Sequence, residues 1–358
     1  MKNNSSNSNI ISAQIVVPCT NLAETMDFFI EKLGFRLEMI MPADSPKTAV
    51  VSGYGVILRL EKGLETAQTP ISLRLLCDSK PTTNELVAPN GMRIELVEAA
   101  TKINLPKGIQ EFVISRMNDE NAWETGRANM QYRDLIPGRL GGSFVASHIR
   151  IPVGGEVSDY VHFHKVRFQM IFCKKGWAKL VYEDQGEPFL LTEGDCVLQP
   201  PEIRHRVLES SDGLEVIEIG SPAIHETFAE HNLKLPTSQV LPERLFNNQR
   251  FVRHLSAQAD WKLQADGFEF CQTDISLATN GLADVRVLRT KAEISASWIH
   301  QGEFLFFFVL KGELEISNVE IGNERLKVGD SCVIPSGMQF NLQAEQGLEM
   351  LKVSLSGN

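Results

Sequence analysis

"VHFHKVRFQM", residues 161 to 170, decides how the chain is read. Residues i and i+2 of an extended strand face the same way, so His162 and His164 converge while Phe163 faces away. H-x-H is the shortest way for a strand to offer two imidazoles to one ion. The frame around the pair is regular: six residues separate Gly155 from His162, four separate His164 from Gln169, and six separate Gln169 from Gly176. Downstream, Pro200 follows Gly194 after five residues, and His205 comes next.

These two blocks, over residues 140 to 220 or so, resemble the motifs of the cupin superfamily, whose fold is a double-stranded β-helix barrel. The resemblance implies that His162, His164 and His205 bind a divalent metal ion and that Gln169 takes the position usually held by glutamate. Glu202 stands where the second block usually has glycine, a departure that touches the turn more than the ligands. Three neutral imidazoles and a neutral amide leave the ion's +2 charge uncompensated, whereas a glutamate would halve it. Such a site favours an anionic or enolisable oxygen ligand that enters an open coordination position. Gln169 either ligates weakly through its amide oxygen or hydrogen-bonds a molecule held at the ion.

The blocks recur. "FQMIFCKKGWAKLVYED" (168 to 184) and "LLTEGDCVLQPPEIRHRV" (190 to 207) are echoed by "LFFFVLKGELEIS" (305 to 317) and "LKVGDSCVIPSGMQFNL" (326 to 342), an internal repeat. Aligning Gly312 and Gly329 with Gly176 and Gly194 puts Trp298 and His300 at the places of His162 and His164, Leu305 at Gln169, and Phe340 at His205. One ligand position of four survives, so the second copy is expected to be a degenerate barrel, with His300 a hydrogen-bonded interior residue. Between the copies, "IHETFAEHNLKLP" (224 to 236) reads as a helix-like insert.

The first hundred residues alternate element types. The strand "ISAQIVVP" precedes "NLAETMDFFIEKLGF", whose Leu22, Met26, Phe29, Ile30 and Leu33 recur at helical spacing, with Asn21 as N-cap and Gly34 as C-cap. Strand-like "RLEMIMP", "TAVVSGY", "VILRLEKG", "ISLRLLC" and "PNGMRIELVEA" follow. The helix and the last strand resemble those of the vicinal oxygen chelate family, which includes glyoxalase I and bleomycin-resistance proteins. That resemblance places the family's metal positions on Gln14, Arg59 and Glu95. Arginine offers donors only, so a remnant module that serves packing or dimerisation is expected.

Taken together, the expected fold is mainly β: an α+β glyoxalase-like βαβββ module over 1–105, a metal-binding cupin barrel over 106–225, and a degenerate cupin barrel over 226–358. A length of 358 residues suits several cores. A net charge of −10 with no basic block disfavours nucleic acid. The polar start "MKNNSSNSNI" reads as a short disordered lead, and no apolar run is long enough to span a bilayer, so a soluble, cytoplasmic protein without membrane partners is expected. The six scattered cysteines read as buried thiols.

Function follows from the metal positions. The first reading is an Fe(II)-type dioxygenase acting on a small oxygenated or anionic substrate, as a homodimer. A non-redox isomerase or decarboxylase using Zn, Ni or Mn is a variant, and a non-catalytic small-molecule binding or sensing bicupin is the alternative. Arg127, Arg133, Arg139 and Arg167 are candidate carboxylate readers, with a surface salt bridge the commoner role for each taken singly. Tyr160 and Tyr182 are candidate hydrogen-bond donors to a bound oxygen species. His148, His225, His231 and His254 match no ligand position.

Overall fold

The computed structural model describes residues 10–32, 34–53, 55–63, 72–87, 93–99, 103–117 and 123–357. The chain folds as two units, Met1–Asn104 with His225–Glu230, and Leu105–Ile224 with His231–Asn358. Among the described residues no helix is long and apolar enough to cross a membrane. The expected disordered lead, Leu33, and the start of "PNGMRIELVEA" lie outside the described residues.

In the first unit, strand Ile10–Cys19 is followed by helix Leu22–Asp27, which runs into a π-helical turn at Phe28–Lys32. The Asn21 side chain accepts the Glu24 amide proton at 3.3 Å, and Gly34 adopts φ 71°, so both expected caps are present. The apolar side of the helical segment, with Leu22, Met26, Phe29 and Ile30, packs on Ala49, Val51, Leu58 and Leu60 of the sheet. Ile10–Cys19 pairs parallel with Val56–Lys62 and antiparallel with Ser72–Cys77. Ser72–Cys77 runs parallel to Arg93–Glu98, and the short strand Glu85–Val87, which sequence patterning did not register, pairs on its far side.

The insert at 224–236 is not helical. Thr227–Ala229 is a strand that pairs antiparallel with Arg36–Met41, with Met39 opposite Phe228 and Ile40 opposite Thr227. A sheet edge with unpaired backbone groups overrides the weak helical spacing of so short a run. Residues His225–Glu230 therefore group with the first unit.

The second unit has two halves of the same plan. In the first half, a seven-stranded sheet runs in the order Val252–His254, Cys196–Leu198, Phe168–Lys175, Leu214–Ser221, Val145–Ile151, Gln131–Asp134, Trp123–Thr125. It faces a sheet formed by Phe189–Thr192, Trp177–Tyr182, His205–Ser210 and His162–His164, with Gly155–Glu156 also on His205–Ser210. In the second half, the seven-stranded sheet runs Trp261–Leu263, Phe268–Gln272, Ala283–Thr290, Glu349–Leu355, Phe304–Lys311, Ser331–Val333, Val113–Ser115. Its partner is the four-stranded sheet Ile294–Ile299, Gln339–Ala344, Glu313–Asn318, Gly322–Lys327. Each half lends the other an edge strand, Val113–Ser115 in one direction and Val252–His254 in the other.

Period-two alternation explains how the halves join. Phe168, Met170 and Phe172 point out of the first half and Phe304, Phe306 and Phe308 out of the second, and they meet in one core that also holds Ile217, Ile219, Leu351 and Val353. The Phe144 and Phe304 rings stack there at 4.1 Å. Between these residues along the same strands, Ile171 and Cys173 pack inside the first half, and Leu305, Phe307 and Val309 inside the second. Both faces of the two large sheets are thus buried, which suits their continuous apolar runs. All six cysteines are free and buried, as expected.

Candidate metal centre

The triad lies between the two sheets of the first half. His162 is directly opposite His205 in an antiparallel pair, and Tyr182 is opposite His205 on its other side, so all three point to one face. His164, two residues further along, shares that face. One ring nitrogen from each of His162, His164 and His205 lies within 4.8 Å of the others, and all three residues are buried. Among the described residues, no other group of His, Cys, Asp or Glu comes together in this way.

The backbone sets the imidazole tautomers. His162 Nδ1 sits 2.8 Å from the Tyr160 carbonyl, and His205 Nδ1 sits 3.0 Å from the Ile203 carbonyl. A carbonyl only accepts, so each Nδ1 carries the proton and each Nε2 presents a lone pair to the interior. Burial lowers both rings, His205 to about 4 and His162 well below its usual value, the latter helped by Arg127 and His205. Neutral imidazoles with inward lone pairs and outward protons anchored on carbonyls are what a metal ligand set requires. The donor chemistry therefore fits a divalent ion.

In this structure protein donors reach two of those lone pairs. Arg127 Nη2 lies 3.1 Å from His162 Nε2, and Gln199 Nε2 lies 3.1 Å from His205 Nε2. Arg127 is held by an ion pair with Asp159, whose other oxygen accepts the Val207 amide proton at 3.0 Å. The facing sheet brings Gln169, whose Nε2 donates to Glu218 and whose Oε1 accepts from Gln199 at 3.3 Å. Tyr182 donates its hydroxyl to Gln199 Oε1 at 2.9 Å and stacks on the His205 ring at 5.4 Å. Burial raises the Tyr182 phenol, so it stays a donor.

Glu218 bears on why an amide stands at position 169: the carboxylate is present one hydrogen bond further out, on strand Leu214–Ser221. Glu218, Gln199 and Asp159 escaped the sequence reading. An acid between Ile217 and Ile219 was the available signal for Glu218.

The remaining candidates sort by what they touch. The Tyr160 ring packs edge-on against His162 at 5.7 Å, with the Arg127 guanidinium over it. Arg167 spends both Nη groups on Glu303 at 2.9 and 2.7 Å, a bidentate pair that ties one half to the other. Arg133 is fully buried, donating to the Gly329 carbonyl at 2.6 Å and the Arg116 carbonyl at 3.1 Å. Arg139 pairs with Asp134 at 3.1 Å. In all three an inter-element partner satisfies the fixed guanidinium fork as well as a ligand would. His148 faces Glu215 at 2.8 Å, and His254 faces the Cys271 sulfur at 3.5 Å.

In the first unit, Gln14, Arg74 and Glu95 stand side by side across three strands. Arg74 pairs with Glu95 at 3.6 Å, and Arg59 pairs with Glu61. Of the three positions compared above with metal ligands, one is an arginine, Arg59, and Arg74 stands between the other two, Gln14 and Glu95.

Comparison with known proteins agrees with this geometry at the level of fold. Residues 286–353 match the family model of the cupin domain, so the chain contains a cupin domain, and the matched segment lies in the second half. Among solved structures, the chain is similar to salicylate 1,2-dioxygenase from Pseudaminobacter salicylatoxidans, at 17% identity and a TM-score of 0.52, covering 70% of this chain and 85% of that one. It is similar also to a point mutant of Bacillus subtilis oxalate decarboxylase, at 12% identity and a TM-score of 0.50, covering 73% and 81%. No curated protein sequence matches the chain.

Proposed function

We propose that the chain is a mononuclear metal-dependent enzyme built of two cupin barrels, the first of which holds the ion, and that it acts as an Fe(II)-type dioxygenase on a small oxygenated, anionic substrate. The observation that carries this reading is the tautomer lock: backbone carbonyls take the Nδ1 protons of His162 and His205, leaving two Nε2 lone pairs aimed at one point with His164 beside them. A bound ion would supply Lewis-acid or one-electron redox chemistry there. The reaction named for one structural neighbour, a salicylate dioxygenase, supports the redox version.

The chain's own residues have distinct tasks. His162, His164 and His205 would hold the ion, for which Arg127 and Gln199 would have to release His162 Nε2 and His205 Nε2. Arg127, still paired with Asp159, then offers its free donors to a substrate carboxylate beside the triad. Tyr182 fixes Gln199, and through it Gln169, by a hydrogen bond that burial keeps protonated. Gln169 adds no charge, so an anionic substrate completes the neutralisation of the site.

Two other readings have a specific observation behind them. The oxalate decarboxylase neighbour favours a non-redox decarboxylase or isomerase with Mn, Ni or Zn. The donors already on His162 and His205 favour a metal-free small-molecule binder. One screen separates the three: the Fe(II)-loaded chain is offered 2-hydroxyaryl carboxylates, diketones and dicarboxylates, with O2 uptake and substrate loss both followed. The dioxygenase reading expects one O2 consumed per substrate. Substrate loss without O2 uptake would move the assignment to the non-redox class, and binding without turnover to the binder. We propose that the first unit is a remnant vicinal-oxygen-chelate-like module, since two of the compared positions, Arg59 and Glu95, are taken up by ion pairs with Glu61 and Arg74.

A further inference from the structure

The second half keeps a cavity of about 490 Å³ where the first has its triad, lined by Asp266, Asp284, Trp298, His300, Leu305 and Lys352 among others. That size is enough for a small organic ligand. Its histidine is set the opposite way round. The Gly302 amide points its proton at His300 Nδ1 at 3.4 Å, so Nδ1 accepts and the neutral ring carries its proton on Nε2. Nε2 is buried with no hydrogen-bond partner, in a residue only 6% exposed. Burial and the neighbouring Lys352 charge push the ring down to about 4, which keeps it neutral at pH 7. His162 and His205 show the interior a lone pair, whereas His300 shows it a proton.

Lys352 supplies the second donor. It lies between Leu351 and Val353, which enter the core between the halves, so alternation turns it inward. Its Nζ is 5.4 Å from the centre of the Trp298 ring. Of the acids on the wall, Asp266 accepts the Trp298 indole proton at 2.8 Å, and Asp284 pairs with Arg286 through Oδ2 at 2.7 Å while its buried Oδ1 has no hydrogen-bond partner. Lys352 has no ion pair of its own among the described residues. The cavity therefore offers an ammonium, an unused N–H and an indole face, three groups that one flat carboxylate can engage together.

We propose that this cavity is a second small-molecule site, distinct from the triad, which takes an aromatic carboxylate with its oxygens on Lys352 and His300 Nε2–H and its ring along Trp298. The site stands whether or not the first half holds an ion.

Benzoate, with benzamide as the uncharged control, is titrated into the metal-free full chain, and the His300 ring is followed by imidazole ¹⁵N NMR. The free chain shows His300 as the Nε2–H tautomer, benzoate shifts that signal saturably, and benzamide binds at least about tenfold more weakly because it loses the charge-assisted contact. Lys352→Met weakens benzoate by about the same factor. An Nδ1–H tautomer, a signal that benzoate leaves unmoved at its solubility limit, or equal affinity for the two probes overturns the proposal. If Lys352→Met does not fold, the benzoate and benzamide comparison on the wild-type chain decides alone.

Discussion

The two halves of the second unit share a backbone register and differ in what they point inward. His162 opposite His205 in one half is Trp298 opposite Phe340 in the other. Gln169 and Leu305 each hold the next strand through a backbone bond of 2.9 Å, from Gln199 in the first half and from Ile334 in the second. Glu218, opposite Ile171, corresponds to Lys352, opposite Phe307. Five inward positions that make a polar, electron-donating cage in the first half make an apolar wall with one cation in the second. The scaffold specifies where side chains converge, and the residues placed there decide whether the interior meets lone pairs or protons. His164 and His300 are the shared pair.

The comparison breaks most violently at the seam. Phe306 is fully buried in the core that joins the halves, and Phe306→Ala should cost about 3–5 kcal/mol in urea unfolding. A loss below about 1 kcal/mol would mean that each half is stable without the other.

Arg127→Met comes next. It leaves Asp159, whose side chain is 0% exposed, buried without its cation, and should destabilise the metal-free chain by about 3 kcal/mol. The same change removes a donor from His162 Nε2, so divalent-ion binding in a chelator competition should tighten about tenfold. Weaker binding would show that Arg127 supports the ion and does not compete with it.

A smaller effect is expected where Arg167 and Glu303 span the halves. A double-mutant cycle with Arg167→Met and Glu303→Gln should give a coupling of about 1 kcal/mol, since the pair is bidentate but partly exposed. No coupling would make the pair a bystander to the seam.

The smallest is a pH effect in the first half. The hydrogen bond from His148, with help from Lys174, holds Glu215 down to about 2 from its ordinary 4.5. A carboxylate lowered in the folded state contributes stability above its unfolded value and loses it as pH falls toward its folded value. Stability should therefore drop between pH 4.5 and about 2, and Glu215→Gln should flatten that limb. An unchanged acid limb in the variant would place the sensitivity elsewhere.

Much of this comparison was legible in the chain. H-x-H spacing and the repeated glycines located the triad and its degenerate echo, because a strand's period fixes which residues share a face. Asn21 and Gly34 marked the helix ends by local backbone chemistry alone. What stayed hidden depends on pairing between strands far apart in sequence. Gln199 and Glu218 join the site through register with Phe168–Lys175, and Arg127 joins it through the ion pair with Asp159. Val113–Ser115 and Val252–His254 are too short to carry a pattern, yet each crosses to the other half's sheet. The family model falls on residues 286–353, where no triad remains, so strand and turn spacing is recognisable without the ligands.

The most direct test of the account is iron content per chain after anaerobic Fe(II) loading and desalting, for the wild type, His205→Ala and His300→Ala side by side. The account predicts close to one ion in the wild type, almost none in His205→Ala and close to one in His300→Ala. No ion in the wild type, or an ion that survives His205→Ala and is lost in His300→Ala, would contradict it.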